Sequence, residues 1–294
     1  MRTTLNTFAG FSRHDARLRV TWVFMSEFEQ SAVVTLRVVP ARNGWKWLAD
    51  GMNFFRASPG MWTLLVLAYW FLLAIMSSIG PIGSIIVAIC LPAFSASFSV
   101  ICDEIRRGNA VRPTLLFAGF QRHPRAALTL GVIYLGSITA TLALSALADG
   151  GMLMDWILFN KPPTEADLKE GKLSLSLPLA AILATPVLMA FWFAPLLVVF
   201  EHMSASKSLF YSFFACLRNW RSLFMYGGAV TMFAMFVAIF VAMFAVLAGG
   251  NPHAARGFML AATIMIMPTL FGSFYAAYVD IFPHNEVQLK AEVE

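Results

Sequence analysis

Five uncharged runs alternate with short, basic connectors along this chain. They are Ala57–Cys102, Ala126–Ala148, Leu173–Phe200, Ser222–Ala255 and Gly257–Val279, and none contains Asp, Glu, Lys or Arg. A helix needs about 20 apolar residues to cross ~30 Å of hydrocarbon. Four of the runs fit one crossing each; the first, with 46 residues, fits two. It divides at Gly80-Pro81-Ile82-Gly83, where two glycines and a proline favour a tight turn. Met61–Ile79 and Ile82–Cys102 are therefore the arms of a transmembrane hairpin, and the total is six spans. A barrel would show alternating segments of about ten residues, whereas these runs are continuous. The pattern predicts an all-α integral membrane fold.

Between the runs the period changes. In Gly44–Phe55 the residues Trp45, Leu48, Met52 and Phe55 recur at helical spacing, with Lys46, Asp50 and Asn53 elsewhere on the wheel. Twelve residues are too few to span but enough to lie in the headgroup region with the aromatics down. A second short apolar segment, Pro113–Phe120, precedes the third span. A third, with Phe210, Phe213, Phe214 and Leu217 in an i, i+3, i+4, i+7 stripe, leads through Trp220-Arg221 into the fifth. The long connector between spans three and four holds Met152–Phe159, apolar enough to dip into the interface, and a polar stretch, Asn160–Gly171, expected to be solvated. Pro178, Pro186 and Pro195 predict a kinked or late-starting fourth span.

These units repeat. Each is a short amphipathic helix, a breaker with a basic residue, a span, and a second span that carries a proline (Pro92, Pro195, Pro268) and ends in an acid (Asp103, Glu201, Asp280). The expected architecture is three hairpins in parallel orientation, each preceded by an interfacial helix, rather than the inverted repeats of many transporters. Both ends of a hairpin meet at one membrane face, so Arg56, Arg125 and Arg221 are expected to share a charge network with Asp103, Glu201 and Asp280.

Composition agrees with the pattern and orients it. Hydrophobic residues make up 59% of the chain and charged ones 13%, against about 45–50% and 25% in soluble domains. Of 21 Lys and Arg residues, 17 fall on the side that holds both ends of the six-span domain. By the positive-inside rule that side is cytoplasmic. The net charge of +5 thus reflects topology and not nucleic-acid binding. Residues 1–38 match no span; they are expected to be a disordered extension, with Met25 as an alternative start. The membrane domain is placed at 39–282 and a cytoplasmic tail at 283–294. No cleavable signal peptide is expected, because Val20–Met25 is too short for its apolar core.

Candidate chemistry is sparse. Cys90, Cys102 and Cys216 lie in or beside apolar stretches without CxxC spacing, as small apolar fillers. His14, His123, His202, His253 and His284 are scattered through connectors without metal-ligand spacing, and no GxSxG, Walker loop or GxGxxG occurs. Span interiors hold none of the ionisable groups that ion-coupled carriers and proton relays use. The expectation is therefore a non-enzymatic protein without cofactor, whose partners are the bilayer, anionic lipid or another membrane protein. A transporter or channel for a small or apolar solute is the alternative.

Val39-Pro40-Ala41-Arg42, Gly44, Trp47, Arg56, Pro59 and Trp62, then Phe193-Ala194-Pro195, Ser212–Cys216 and Asn219-Trp220, resemble an uncharacterised family of Gram-negative inner-membrane proteins. The resemblance covers about residues 38–282. It implies location and a six-span topology, with no activity to transfer. More distantly the chain resembles membrane domains with a similar short-helix-plus-hairpin unit that accompany lipid-processing enzymes.

Overall fold

The computed structural model describes residues 35–159, 161–164, 172–249 and 251–283. Residues 1–34, with Met25, and the tail beyond Pro283 lie outside that set, as does most of the stretch expected to be solvated in the long outer connector. The described elements are helical: α1 (Asn43–Ala57), α2 (Pro59–Ser77), α3 (Pro81–Arg106), a 3-10 turn (Pro113–Phe117), α4 (Ala118–Arg122), α5 (Pro124–Asp149) and α6 (Met152–Phe159). They continue as α7 (Lys172–Trp192), α8 (Ala194–Phe200), α9 (Ala205–Arg218), α10 (Trp220–Leu247) and α11 (Pro252–Ile281). Among the described residues six helical stretches are long and apolar enough to span: α2, α3, α5, α7 with α8, α10 and α11.

Helix starts follow proline. Pro59, Pro81, Pro124 and Pro252 stand in the first turns of α2, α3, α5 and α11, where a missing N–H costs nothing. The turn between α2 and α3 is the expected one: Gly80 takes φ 84°, a conformation with no steric penalty only for glycine.

The fourth span is broken rather than merely kinked. Pro195 cannot donate to the preceding turn, and one residue earlier than its helix a side chain enters the backbone ladder. The Ser212 hydroxyl donates to the Met189 carbonyl at 2.8 Å and accepts the Phe193 N–H at 2.9 Å. Insertion of this kind is a recognised cause of sharp kinks.

Three of the short helices pack lengthwise against longer ones. α1 lies along α11, α4 and the 3-10 turn along α3, and α9 along α7 and α8. The contact residues are small because the backbones nearly touch. A Cβ on Gly51 would collide with the Thr269 carbonyl and the Ser273 N–H, and one on Gly119 would meet the Ala93 carbonyl and the Ser97 hydroxyl.

Burial is uneven along the helices. The C-terminal parts of α3, α8 and α11 form a dense base in which Phe98, Ile101, Leu196, Leu197, Tyr275 and Tyr278 are fully buried. Phe200 joins the layers, its ring centroid 6.0 Å from that of Tyr275 and 5.5 Å from that of Tyr278. The other ends expose large apolar side chains, among them Ile82, Leu147, Phe236, Ile239 and Met259. Such exposure is stable in lipid and not in water.

Candidate functional site

The three acids expected at the ends of the second arms all lie in or beside the base, each bonded across to another element. Asp103, 1% exposed, accepts from the Tyr275 hydroxyl at 2.7 Å and from Arg107 Nε at 3.0 Å. Glu201 accepts from the Tyr278 hydroxyl at 3.0 Å. Asp280 accepts from Asn43 Nδ2 at 2.7 Å and Trp47 Nε1 at 2.9 Å, fastening α1 to the end of α11. Charge-assisted bonds of this kind are about twice as strong as neutral ones. The acids therefore serve as acceptors for buried phenol and indole donors and for the half-buried Asn43 amide.

Of the basic residues expected beside them, Arg56, Arg125 and Arg221 are all exposed. Arg221 lies over the Trp220 ring, 5.4 Å from its centroid. A different arginine, Arg122, reaches Glu104 at 4.0 Å and stands over the Phe200 ring at 5.7 Å.

The chain just before α1 is part of the same construction. Arg37 N–H donates to the Ile281 carbonyl, and Asn219 Nδ2 donates to the Arg37 carbonyl. Val39 N–H donates to Asn219 Oδ1, and Ser222 returns a bond to the Val39 carbonyl. Asn219 thus ties the α9–α10 corner to the start of the membrane domain, and the bonded segment begins before residue 39. Nothing local marks Asn219 for this role, because its partners lie about 180 residues away in sequence.

α1, α3 and α11 line an open cavity of about 560 Å³. Arg37, Lys46, Asp50, Asn53, Arg106 and Asp280 are among its lining groups. Partial burial raises the Asp50 carboxyl from its ordinary value, Lys46 opposes the shift and Asp280 reinforces it. The residues off the Trp45 stripe therefore line a cavity. The stripe itself is divided: Trp45 is exposed, Met52 and Phe55 are half-buried, and Leu48 is buried beside Trp47. On α9 the separation is cleaner. Phe210, Phe214 and Leu217 are exposed and Phe213 half-buried, while Ala205, Ser208, Ser212, Ala215 and Cys216 face the protein. Burial pushes the Cys216 thiol up to about 12, with a smaller opposing effect from Ser212, which keeps it protonated and unreactive.

Two histidines from separate connectors meet at the same end. His123 Nε2 and His202 Nδ1 are 2.6 Å apart, so one nitrogen must be unprotonated to accept. Burial first, then His123 and Arg122, lower the His202 pKa below 6.5, while Glu201 opposes. A depressed folded-state value means that the unfolded chain takes up its proton first as pH falls. The pair's contribution is complete above the unfolded value of 6.5 and is lost on acidification through the folded value. Thermal unfolding in detergent is expected to occur at lower temperature at pH 5.5 than at pH 7.5. His202→Asn should reduce that difference.

Among the described residues no group of three His, Cys, Asp or Glu could hold a metal ion. The arrangement assembles donors and acceptors that bind helices to one another.

Comparison with known proteins places the chain. It is an integral protein of the bacterial inner membrane with multiple spans. It is 32% identical over 257 residues to the probable inner membrane protein BTH_II0599 of Burkholderia thailandensis, a match covering 84% of this chain and 94% of the relative. The chain belongs to that protein's family, and the relative's name gives its location. No family model matches, and no solved structure matches.

Proposed function

We propose that this protein is a non-enzymatic membrane scaffold. Three hairpins are locked together at the cytoplasmic face, and short helices there engage lipid of the inner leaflet. The observation that carries the reading is α9, which seals its small-residue face against α7 and α8 and turns Phe210, Phe214 and Leu217 outward. In water such a face would aggregate; at the headgroup boundary it is an anchor.

The threefold repeat is supported by three helix crossings of one kind. Gly51 sits against Thr269 and Ser273, Gly119 against Ala93 and Ser97, and Ser212 against Met189 and Phe193. In each, a tiny residue of the short helix meets positions n and n+4 of a second arm. The first unit packs on the third, the second on the first and the third on the second, which closes a ring. α7 then fits the hydrocarbon alone, because its 21 residues measure about 31 Å at 1.5 Å each. The base below it, with Asp103, Glu201 and Asp280, would stand in the headgroup layer and cytoplasm. A channel for solutes is disfavoured by the same base, which a path between the second arms would have to cross.

A spin label at Phe210→Cys in vesicles tests the placement. The expected result is a depth at the headgroup–acyl boundary; a label fully accessible to an aqueous quencher would refute it. Replacing Phe210, Phe213 and Phe214 together by serine is expected to lower thermal stability in vesicles and to have less effect in detergent.

A further inference from the structure

Above the base, on the hydrocarbon side of α9, the spans leave a second cavity of about 680 Å³. Its walls are mainly apolar and come chiefly from α5, α7, α10 and α11, with Leu188, Met189, Leu223, Val230, Phe271 and Phe274 among them, while Ser95 of α3 and Cys216 of α9 complete the lining. α7 and α10 face each other across it without extended packing, and α10 is the least buried of the six spans. The gap between these two helices therefore opens sideways. A Cβ added to Gly227, on the α10 wall, would meet nothing within 4 Å.

Two features of this cavity point to its occupant. The first is Tyr134, which lines the cavity with its ring against Phe191 and whose hydroxyl has no hydrogen-bond partner among the described residues. A half-buried phenol against apolar walls wants an acceptor. The second is charge at the rim. Cys216 and Leu223 line the cavity, and the corner between them carries Arg218 and Arg221, both exposed. From Met203 to Val279 the chain has no Asp or Glu to neutralise them.

We propose that the cavity binds one acyl chain of an anionic diacylglycerophospholipid from the cytoplasmic leaflet. The chain enters between α7 and α10, the phosphate rests on Arg218 and Arg221, and the Tyr134 hydroxyl donates to an ester carbonyl. Apolar walls with few polar groups are what such a ligand needs: the walls take the tail and the polar groups fix its orientation. The proposal rests on the interfacial placement of α9, since only that brings the cavity mouth level with lipid headgroups.

The test uses the full chain in vesicles of phosphatidylethanolamine with a minority of phosphatidylglycerol. A trace of phosphatidylglycerol carries a diazirine in one acyl chain, and the sites of photolabelling are read by peptide mass spectrometry. Labelling is expected to concentrate on residues 185–192 of α7 and 223–230 of α10. Gly227→Phe should remove it by filling the cavity, whereas Gly228→Phe, which has equally open surroundings but is not part of the lining, should leave it unchanged. Arg218→Gln combined with Arg221→Gln changes only exposed groups and should lower labelling severalfold. Tyr134→Phe should lower it roughly threefold to tenfold, the loss of one net hydrogen bond. Labelling spread over the outward residues of α10 and indifferent to Gly227→Phe would overturn the proposal. So would equal labelling by a phosphatidylcholine probe. Either result would leave the depth of Phe210, measured separately, standing or falling by itself.

Discussion

Gly51→Val is expected to yield a chain that enters the membrane but leaves detergent extraction aggregated or unfolded. The position lies where α1 crosses α11, and the first added carbon would run into the Thr269 carbonyl and the Ser273 backbone N–H. Both obstacles belong to the backbone of a spanning helix, so no rotamer change relieves them. Overpacking ordinarily costs about 1–3 kcal/mol; here the cost should exceed ~3 kcal/mol, because α1 must lift off. Lifting it also stretches the bonds from Asn43 and Trp47 to Asp280. Fluorescence-detected size exclusion with a thermal ramp gives the readout. Gly60→Val is the control, since a Cβ there meets nothing within 4 Å and should leave the elution profile unchanged. A monodisperse Gly51→Val protein with an unaltered melting temperature would show that the crossing is looser than described.

The second large effect is expected at Asp103. Asp103→Ala removes the acceptor for Tyr275 and for Arg107 and leaves a buried phenol with its proton unplaced. Hydrogen bonds to a charged group contribute about 1.5–3 kcal/mol, and an orphaned buried donor costs about 1–3 kcal/mol. Allowing for overlap between the two, a loss of roughly 3–5 kcal/mol follows. Tyr275→Phe deletes the hydroxyl's contacts with Asp103 and Arg106 but leaves Asp103 with Arg107, so its cost should be smaller. The order of the two melting temperatures is the check. Equal losses would mean that the tyrosine ring's packing, and not its hydroxyl, holds the base.

The spans and their ends were open to reading because they depend on local composition. A charge-free run longer than the bilayer is thick has one stable destination, and Gly80-Pro81 shows where the first run folds back. The acids closing the second arms could also be identified. Their partners could not: Tyr275, Tyr278, Asn43 and Trp47 look like ordinary apolar or loop residues until α1 and α11 are side by side. The residues that bring the helices together were equally hidden. Gly51 and Gly119 carry no side chain to form a pattern, and Ser212 stood in the sequence only as a polar residue beside an aromatic stripe. An amphipathic wheel shows which face is greasy and says nothing about which face must be thin. On α9 the aromatic stripe is also the more exposed face, whereas on α1 tight packing against α10 and α11 divides the Trp45, Leu48, Met52, Phe55 stripe.

The Ser212 hydroxyl also has a mechanical consequence. With its oxygen between the Met189 carbonyl and the Phe193 N–H, and with Pro195 just beyond, the fourth span lacks two rungs within one turn. A rod weakened at one point bends there first. The upper part of this span can tilt to match a thicker or thinner bilayer while its lower part stays fixed. In this way the protein could adjust to its host membrane at little energetic expense to the joint beneath.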